Sequence, residues 1–317
     1  MMNILITESD DYSKEAISIY SDLGKVFLDS ATNNEEINIL VVKLNISLNS
    51  SYLRQYPNLE FIVTPTTGLT HIDLLFCEQK SIKIISLNDC KDDIEEISST
   101  AELSLGLMIA LIRKITRANQ DVVIKKVWNR NLYKSKQLQG STAGIIGLGR
   151  IGSMMSNFCK ALGMNVLAYD PYIPDASFDN LGVTKTSLRY LLENSLIISI
   201  HANLTKKNHH MISSEQLSYM TPDTLLINTA RGALIDESAV CKAIISEKIG
   251  GIAVDVLENE HTDKKLMSSE LLSLAKKNYN VIVTPHIGGC TIDAMNITEQ
   301  AIAKTAQKII KELSCKF

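Results

Sequence analysis

The chain has 317 residues, which is enough for about two domains with separate hydrophobic cores. Hydrophobic residues make up 45% and charged residues 21%, which excludes general disorder, and a net charge of −3 gives no electrostatic footprint for nucleic acid or an anionic membrane. The six cysteines show no CxxC pair and no metal-like Cys/His spacing. This predicts reduced thiols, no metal site and a cytoplasmic protein.

The N-terminal apolar segment lacks the basic region of a signal peptide and stops at Thr7, so it indicates a first strand. The longest mainly apolar run, residues 103–112, is about half the length that a bilayer requires. We therefore expect no membrane span.

Short apolar runs then alternate with stretches of helical pattern. The first series of candidate strands is 3–6, 25–28, 38–42, 60–63 and 83–86; the second is 143–146, 165–169, 196–200, 224–227, 251–254 and 280–283. Strands that alternate with helices build parallel sheets, because each crossover must return the chain across a face of the sheet. The pattern predicts an α/β protein with two doubly wound parallel-sheet domains.

A longer helical region at residues 100–117 separates the two series, and we place the domain change near residue 99. The terminal stretch 291–313 also has a helical pattern. Periodicity does not decide on which domain that last helix packs.

The strongest local signal is the turn Gly147-Leu148-Gly149-Arg150-Ile151-Gly152, which closes one candidate strand and opens a helical stretch. In that setting the first glycine makes a tight turn, the second lets a pyrophosphate approach the backbone, and the third lets helix and strand pack closely. The next strand ends at Asp170. A carboxylate there can accept hydrogen bonds from both ribose hydroxyls, and it repels the 2′-phosphate of NADP. The second domain is therefore predicted to be a Rossmann domain that binds NAD. Arg150 is interpreted either as a phosphate contact or as a surface helix residue.

Three charged residues follow strands of the second series, at the edge where open α/β sheets bind ligands: Arg231, Glu260 and His286. Hydride transfer to a 2-keto acid needs a cation for the carboxylate and a proton donor for the developing alkoxide. The planar fork of an arginine suits the first task. A histidine oriented by a carboxylate suits the second.

With these motifs, the sequence resembles the D-isomer-specific 2-hydroxyacid dehydrogenases, and most of all their D-3-phosphoglycerate dehydrogenase-like branch. The resemblance extends over most of the chain and is carried by residues 67–73 (TGLTHID), 100–102 (TAE), 146–152 (IGLGRIG), 228–232 (NTARG), 255–260 (DVLENE) and 284–289 (TPHIGG). It implies an NAD-dependent enzyme that transfers a hydride between nicotinamide and a small D-2-hydroxy acid or its 2-keto partner.

The resemblance also implies roles for single residues. Arg231 is expected to bind the substrate carboxylate, His286 to act as the acid/base and Glu260 to be its partner. The expected cofactor contacts are Gly147, Gly149, Arg150, Ile151, Gly152, Asp170, His201, Thr229, Ala230, Asp255 and Gly288, with Asp255 on the nicotinamide carboxamide. His201 lies in a motif that matches the family except at Asn203, where proline is usual. The remaining histidines are interpreted as surface or satisfied core residues; they are His71, His209, His210 and His261.

In the first domain, substrate-facing amides are expected near Gly68 and Leu69, and Lys43 is the nearby cation in a suitable place. The resemblance implies that the last helix returns to this domain. It thus predicts a substrate-binding domain of residues 1–99 plus 291–317, a Rossmann NAD-binding domain of residues 100–290, and a homodimer.

The substrate is left open. The phosphoglycerate branch typically offers arginines from the first domain to the phosphate, whereas residues 62–66 contain none, and the acidic segment 88–99 disfavours a doubly charged phosphate if it borders the site. A 3-phosphoglycerate-specific dehydrogenase therefore remains an alternative beside enzymes for glycerate or hydroxypyruvate, glyoxylate, lactate or a sugar-derived hydroxy acid. The sequence is also compatible with a non-catalytic NAD-sensing protein of the corepressor type. Glu260 argues against a formate dehydrogenase relative.

Overall fold

A computed structural model of the chain describes residues 2–31, 33–260 and 268–314, so His261 lies outside the described residues. The chain divides into two compact units, residues 1–97 with 290–317 and residues 98–289. Each unit is built on a parallel sheet covered by helices, which confirms the predicted α/β class.

The first unit carries a parallel sheet with the order β2-β1-β3-β4-β5, so the strand order reverses between β1 and β3. Its strands are β1 (Met2–Ile6), β2 (Gly24–Leu28), β3 (Ile39–Val41), β4 (Phe61–Thr64) and β5 (Lys83–Ser86). Its connecting helices are α1 (Lys14–Ser21), α2 (Ser50–Leu53) and α3 (Leu74–Gln79), with 3₁₀ turns at Asn34–Glu36, Leu87–Asp89 and Lys91–Ile94. β3 and β4 are buried throughout because helices cover both faces of a parallel sheet.

The second unit has the sheet order β12-β11-β10-β9-β6-β7-β8, again parallel, and the order reverses between β6 and β9. Its strands are β6 (Thr142–Ile146), β7 (Asn165–Tyr169), β8 (Thr184–Lys185), β9 (Ile197–Ile200), β10 (Leu225–Asn228), β11 (Gly251–Val254) and β12 (Val281–Val283). Its helices are α4 (Ser99–Ile112), α5 (Ile115–Val123), α6 (Arg150–Ala161), α7 (Asp175–Leu181), α8 (Leu188–Asn194), α9 (Ser214–Tyr219), α10 (Glu237–Ile245) and α11 (Glu270–Lys276), with 3₁₀ turns at Arg130–Tyr133 and Gly232–Leu234.

Two hydrophobic cores lie on opposite faces of this second sheet. Ile145 packs with Met108 of α4 and Met155 of α6, whereas the next residue, Ile146, packs with Val240 of α10. This is the alternation expected along a strand. Strands with both faces covered read as continuous apolar runs, which is why the sequence reveals them so clearly. The sequence missed β8, a two-residue edge strand whose side chains are exposed.

The C-terminal helix α12 (Ile292–Ser314) belongs to the first unit. Ile302 and Ala306 are buried in the same core as Ile4 of β1. Glu299, which is 1% exposed, accepts a hydrogen bond from the Ser13 amide (2.7 Å) and forms an ion pair with the Lys43 ammonium (2.9 Å). The charge of Lys43 is therefore balanced within its own unit.

None of the helices in the described part of the chain has the length and apolar character needed to cross a bilayer.

Candidate active site

The glycine-rich turn links β6 to α6 at the point where the strand order reverses. Gly147 has φ +86°, and a Cβ atom there would lie 2.7 Å from the Ala202 nitrogen; a Cβ atom at Gly152 would lie 2.0 Å from the Gly147 oxygen. Both positions therefore require glycine. A Cβ atom at Gly149 would meet no described atom within 4 Å. The middle glycine faces open space beside the helix N-terminus.

This open space fits a dinucleotide pyrophosphate. Among the described residues, no side chain caps the first turn of α6, so its orphan amides can bind an anion. At the end of β7, the Asp170 carboxylate accepts hydrogen bonds from the Leu148 and Tyr172 amides, each at 2.9 Å. These bonds orient Asp170 and leave lone pairs for ribose hydroxyls. Arg150 is partly buried, and burial lowers the pKa of its guanidinium.

Further expected cofactor contacts lie at the carboxyl ends of β9 and β10. The His201 amide donates to the Ile146 oxygen (2.7 Å), which ties this residue to the end of β6. Its ring Nε2 lies 2.8 Å from the Ser199 hydroxyl, and burial lowers the pKa of His201 to about 4, so the ring is neutral at pH 7. Thr229 forms a buried hydroxyl pair with Ser104 of α4 at 2.7 Å.

Asp255, directly after β11, is 1% exposed and organises the loop that follows β12. Its Oδ1 accepts hydrogen bonds from the Thr284 hydroxyl (2.6 Å) and the Ile287 amide (2.9 Å), and its Oδ2 accepts one from the Gly288 amide (2.8 Å). Both carboxylate oxygens thus have protein donors. The role toward the nicotinamide that the resemblance implies remains a prediction, whereas the structure shows Asp255 holding the loop of His286.

His286 and Glu260 form a direct pair. His286 Nδ1 lies 2.8 Å from Glu260 Oε1, and the second carboxylate oxygen accepts a hydrogen bond from the Leu257 amide at 3.2 Å. His286 has φ +55°, a left-handed conformation that a histidine adopts only at some energetic cost. The pair is only partly exposed, 27% for the His286 side chain and 18% for that of Glu260.

Arg231 follows β10 and is partly buried. Burial lowers the pKa of Arg231, and the negative charge of Glu260 opposes that shift; the guanidinium stays charged, because an arginine in a protein does not lose its proton. Gly232 explains how the two loops approach each other: a Cβ atom there would lie 2.1 Å from the Leu257 backbone carbon. The sequence identifies the motif that contains Gly232, but nothing in that motif predicts the contact between Gly232 and Leu257.

Residues 105–288 match the family described as D-isomer specific 2-hydroxyacid dehydrogenase, NAD binding domain. The chain belongs to this family. Its second unit is accordingly an NAD-binding domain with the Rossmann strand order.

Individual relatives support the same membership. The chain is 34% identical to a hydroxypyruvate reductase of Thermotoga maritima over 88% of this chain and 85% of the relative. It is 32% identical to a D-3-phosphoglycerate dehydrogenase of Methanocaldococcus jannaschii over 98% of this chain, but it spans only 58% of that relative's length. A D-lactate dehydrogenase from Aquifex aeolicus, crystallised with NAD and lactic acid, superposes with a TM-score of 0.79 at 28% identity, covering 99% of this chain and 96% of that one.

The residues that the family resemblance assigns to substrate binding, Lys43, Gly68 and Leu69, lie in the first unit. The Thr66 hydroxyl donates to the Gly68 oxygen at 2.8 Å, which shapes the loop that continues into Leu69. Lys43 is engaged by Glu299. Substrate binding by Lys43, Gly68 and Leu69 remains a prediction. The ion pair with Glu299 argues against such a role for Lys43, because an ammonium that is already neutralised attracts a substrate anion less strongly.

The glycines of the turn allow a matched test. Gly152→Ala should lower the free energy of unfolding by about 1–3 kcal/mol, because the new methyl group meets a backbone oxygen. Gly149→Ala should change it by less than about 0.5 kcal/mol and still weaken NADH binding, because the methyl group occupies the open space. Denaturant titration and NADH fluorescence measure the two effects. Full NADH affinity in the Gly149 variant would place the pyrophosphate elsewhere.

Proposed function

We propose that the protein is an NAD-dependent D-2-hydroxyacid dehydrogenase that reduces a small 2-keto acid and oxidises the matching hydroxy acid. The observation that carries the proposal is the arrangement after the adjacent strands β10, β11 and β12. There the negative charge of Glu260 interacts with the guanidinium of Arg231. The same carboxylate pairs with the imidazole of His286. The glycine turn lies at the same edge of the same sheet.

Each residue of this arrangement has a chemical task. The guanidinium of Arg231 binds the substrate carboxylate through two parallel hydrogen bonds, which burial strengthens. His286 donates a proton from Nε2 to the oxygen of the substrate carbonyl as that oxygen gains negative charge, and in the reverse direction it accepts the proton. Glu260 holds the ring through Nδ1, which directs Nε2 away from the carboxylate. NADH, when bound, supplies the hydride.

For the cofactor, we assign the pyrophosphate to the turn with Gly147, Gly149 and Gly152 and the adenosine ribose to Asp170. The negative charge of Asp170 supports a preference for NAD, because it repels the 2′-phosphate of NADP. Further contacts are proposed along the same edge of the sheet, at Arg150, Ile151, His201, Thr229, Ala230, Asp255 and Gly288.

For the substrate, we infer a small 2-keto acid without a phosphate group. Residues 62–66 contain no arginine, and Lys43 is neutralised by Glu299. The relative from Thermotoga maritima, which aligns over 85% of its own length, is named a hydroxypyruvate reductase, and hydroxypyruvate is a 2-keto acid of this kind. The amides near Gly68 and Leu69 are the proposed first-unit contacts to this substrate.

The cysteines support the proposal of a cytoplasmic location. Those in the described part of the chain are free thiols, and only Cys290 among them is exposed. Burial raises the pKa of Cys159 and of Cys241 to about 12, so these thiols stay protonated and unreactive. A reducing compartment suits such thiols.

The acid/base pair gives the first functional prediction. His286→Asn should lower kcat by at least roughly 10²-fold and leave NADH binding intact, since asparagine also tolerates the left-handed conformation. Glu260→Gln should also lower kcat and leave NADH binding intact, because a neutral amide holds the His286 ring through a weaker hydrogen bond than the carboxylate does. Glu258→Gln serves as the control, because the Glu258 carboxylate faces His209 and His210 instead. A loss of kcat in this control and not in Glu260→Gln would exchange the roles of the two glutamates.

The substrate carboxylate gives the second. Arg231→Lys keeps the charge but loses the planar two-point contact, so kcat/KM should fall for every 2-keto acid by an amount equivalent to about 2–4 kcal/mol. NADH affinity should barely change. Steady-state rates with a panel of 2-keto acids and the matching aldehydes test this. Equal turnover of the aldehydes by the unaltered enzyme would disprove the carboxylate anchor, and NADH binding without turnover of any 2-keto acid would favour a non-catalytic NAD-binding protein.

We also propose a homodimer that uses the segment around α5. This segment exposes apolar side chains, with Trp128 at 90%, Ile124 at 73% and Val123 at 58% exposure. Large apolar side chains exposed close together in sequence favour an interface, and tryptophan is enriched among the residues that dominate binding. Light scattering should give the mass of a dimer, and Trp128→Ser should shift it toward the monomer. Tyr172→Ser, at another exposed aromatic residue, should leave the mass unchanged. A monomeric unaltered protein would refute the proposal.

A further inference from the structure

A second cluster of histidine and carboxylate side chains lies apart from the His286–Glu260 pair. His209 and His210 are on the loop between β9 and α9, and Glu258 is on the loop after β11. His209 Nε2 lies 3.2 Å from Glu258 Oε1, and His210 Nε2 lies 3.1 Å from Glu258 Oε2. Among the described residues, this group brings one potential ligand atom from each member within 4.8 Å of the others. One carboxylate is thus shared by two imidazoles.

The imidazole rings of His209 and His210 lie against each other. Their centroids are 3.9 Å apart and their planes are inclined by 33°. His210 has φ +51°, a left-handed conformation that costs energy for most residues with a side chain. This conformation allows neighbouring residues to direct both Nε2 atoms at the same carboxylate. Strained residues of this kind are found where a site requires their geometry.

The backbone around the cluster is anchored on both sides. The His210 amide donates to the Ala233 oxygen (2.8 Å), which ties the histidine loop to the turn after β10. The Glu258 amide donates to the Glu237 carboxylate (2.9 Å), at the start of α10. The three ligand atoms therefore meet through restrained loops, and little reorganisation is needed for binding.

We propose that His209, His210 and Glu258 form a binding site for a divalent transition metal ion such as Zn²⁺. Two imidazole nitrogens and one carboxylate oxygen are ligands that zinc accepts, and imidazole favours zinc, nickel and copper over magnesium and calcium. Bonds of about 2.0–2.2 Å to a tetrahedral ion separate the ligand atoms by roughly 3.3–3.5 Å. Each imidazole nitrogen lies close to this separation from one oxygen of the Glu258 carboxylate, His209 Nε2 at 3.2 Å from Oε1 and His210 Nε2 at 3.1 Å from Oε2. With one ligand atom from each residue, all three atoms lie within 4.8 Å of one another, so the side chains have to move only slightly closer together around the ion.

The protons and charges around the site are compatible with a cation. Each imidazole binds the ion through the Nε2 lone pair and keeps its remaining proton on Nδ1, so binding displaces the hydrogen bonds to Glu258. A cleft of about 370 Å³ adjoins Glu258 and is also lined by Glu237 and Glu270. This concentration of negative charge attracts cations. Three protein ligands leave a coordination position for water or a further ligand.

The sequence predicts no metal site, because the three ligands do not follow a Cys/His spacing pattern. Glu258 reaches the two histidines only because the loops after β9 and β11 meet at the carboxyl ends of the strands, beyond the end of the intervening strand β10. The inference is independent of the proposed dehydrogenase activity. Glu258 and Glu260 point to different histidines, so the site can hold a metal ion whether or not the His286–Glu260 pair is catalytic.

The experiment is a calorimetric titration of the metal-free full-length chain with zinc chloride, without substrate or cofactor. We expect one ion per chain. His209→Gln, His210→Asn and Glu258→Gln should each weaken binding by at least about tenfold. Asparagine is chosen at position 210 because it tolerates the left-handed conformation. Thermal unfolding without metal checks that each variant is folded, and zinc should raise the Tm of the unaltered protein more than that of Glu258→Gln.

Two controls test different places where zinc can bind. Cys290→Ser removes an exposed thiol and His286→Asn alters the second histidine–carboxylate pair, and both variants should keep the full affinity. Unchanged zinc binding in folded variants of the three-residue cluster overturns the proposal, as does binding that is lost in His286→Asn or Cys290→Ser alone. Absence of zinc binding by the unaltered protein overturns it as well and has no bearing on 2-keto acid reduction, which is measured separately.

Discussion

The buried carboxylate of Asp255 is the interaction on which the geometry of the candidate active site depends. It accepts hydrogen bonds from the Thr284 hydroxyl and from the amides of Ile287 and Gly288, while its own backbone oxygen accepts one from the His286 amide. Of these donors, the Gly288 amide is buried, and leaving it unsatisfied would cost about 1–3 kcal/mol. Together, these hydrogen bonds maintain the left-handed conformation of His286 and direct its ring toward Glu260.

Parallel strand topology then brings the functional groups together. The carboxyl ends of adjacent strands lie at one edge of the sheet, so loops far apart in sequence become neighbours. Gly232 allows the loop of Arg231 to pass within van der Waals distance of the loop of Glu260. Side chains held in this way keep their orientation before a substrate arrives, and such preorganisation lowers the barrier to reaction.

The short loop after β11 carries two glutamates with separate partners. Glu260 pairs with the histidine after β12, whereas Glu258 faces the two histidines of the loop after β9. The two carboxylates of this loop thus bind side chains of two different loops, one after β9 and one after β12. This division explains how a proposed metal site and a proposed acid/base pair can lie so close in sequence without sharing a residue.

The local sequence was enough to predict the α/β class, most strands of both sheets and the glycine turn, because buried strands and glycine-dependent turns are visible in a few neighbouring residues. It also identified Arg231, Glu260 and His286 as residues that follow strands. The tertiary structure alone decided which charges meet: Lys43 with Glu299, Glu258 with His209 and His210, and Asp255 with the loop of His286. Sequence periodicity reports which face of an element is buried, but the partner of a polar side chain depends on how distant loops pack, and no local pattern encodes that.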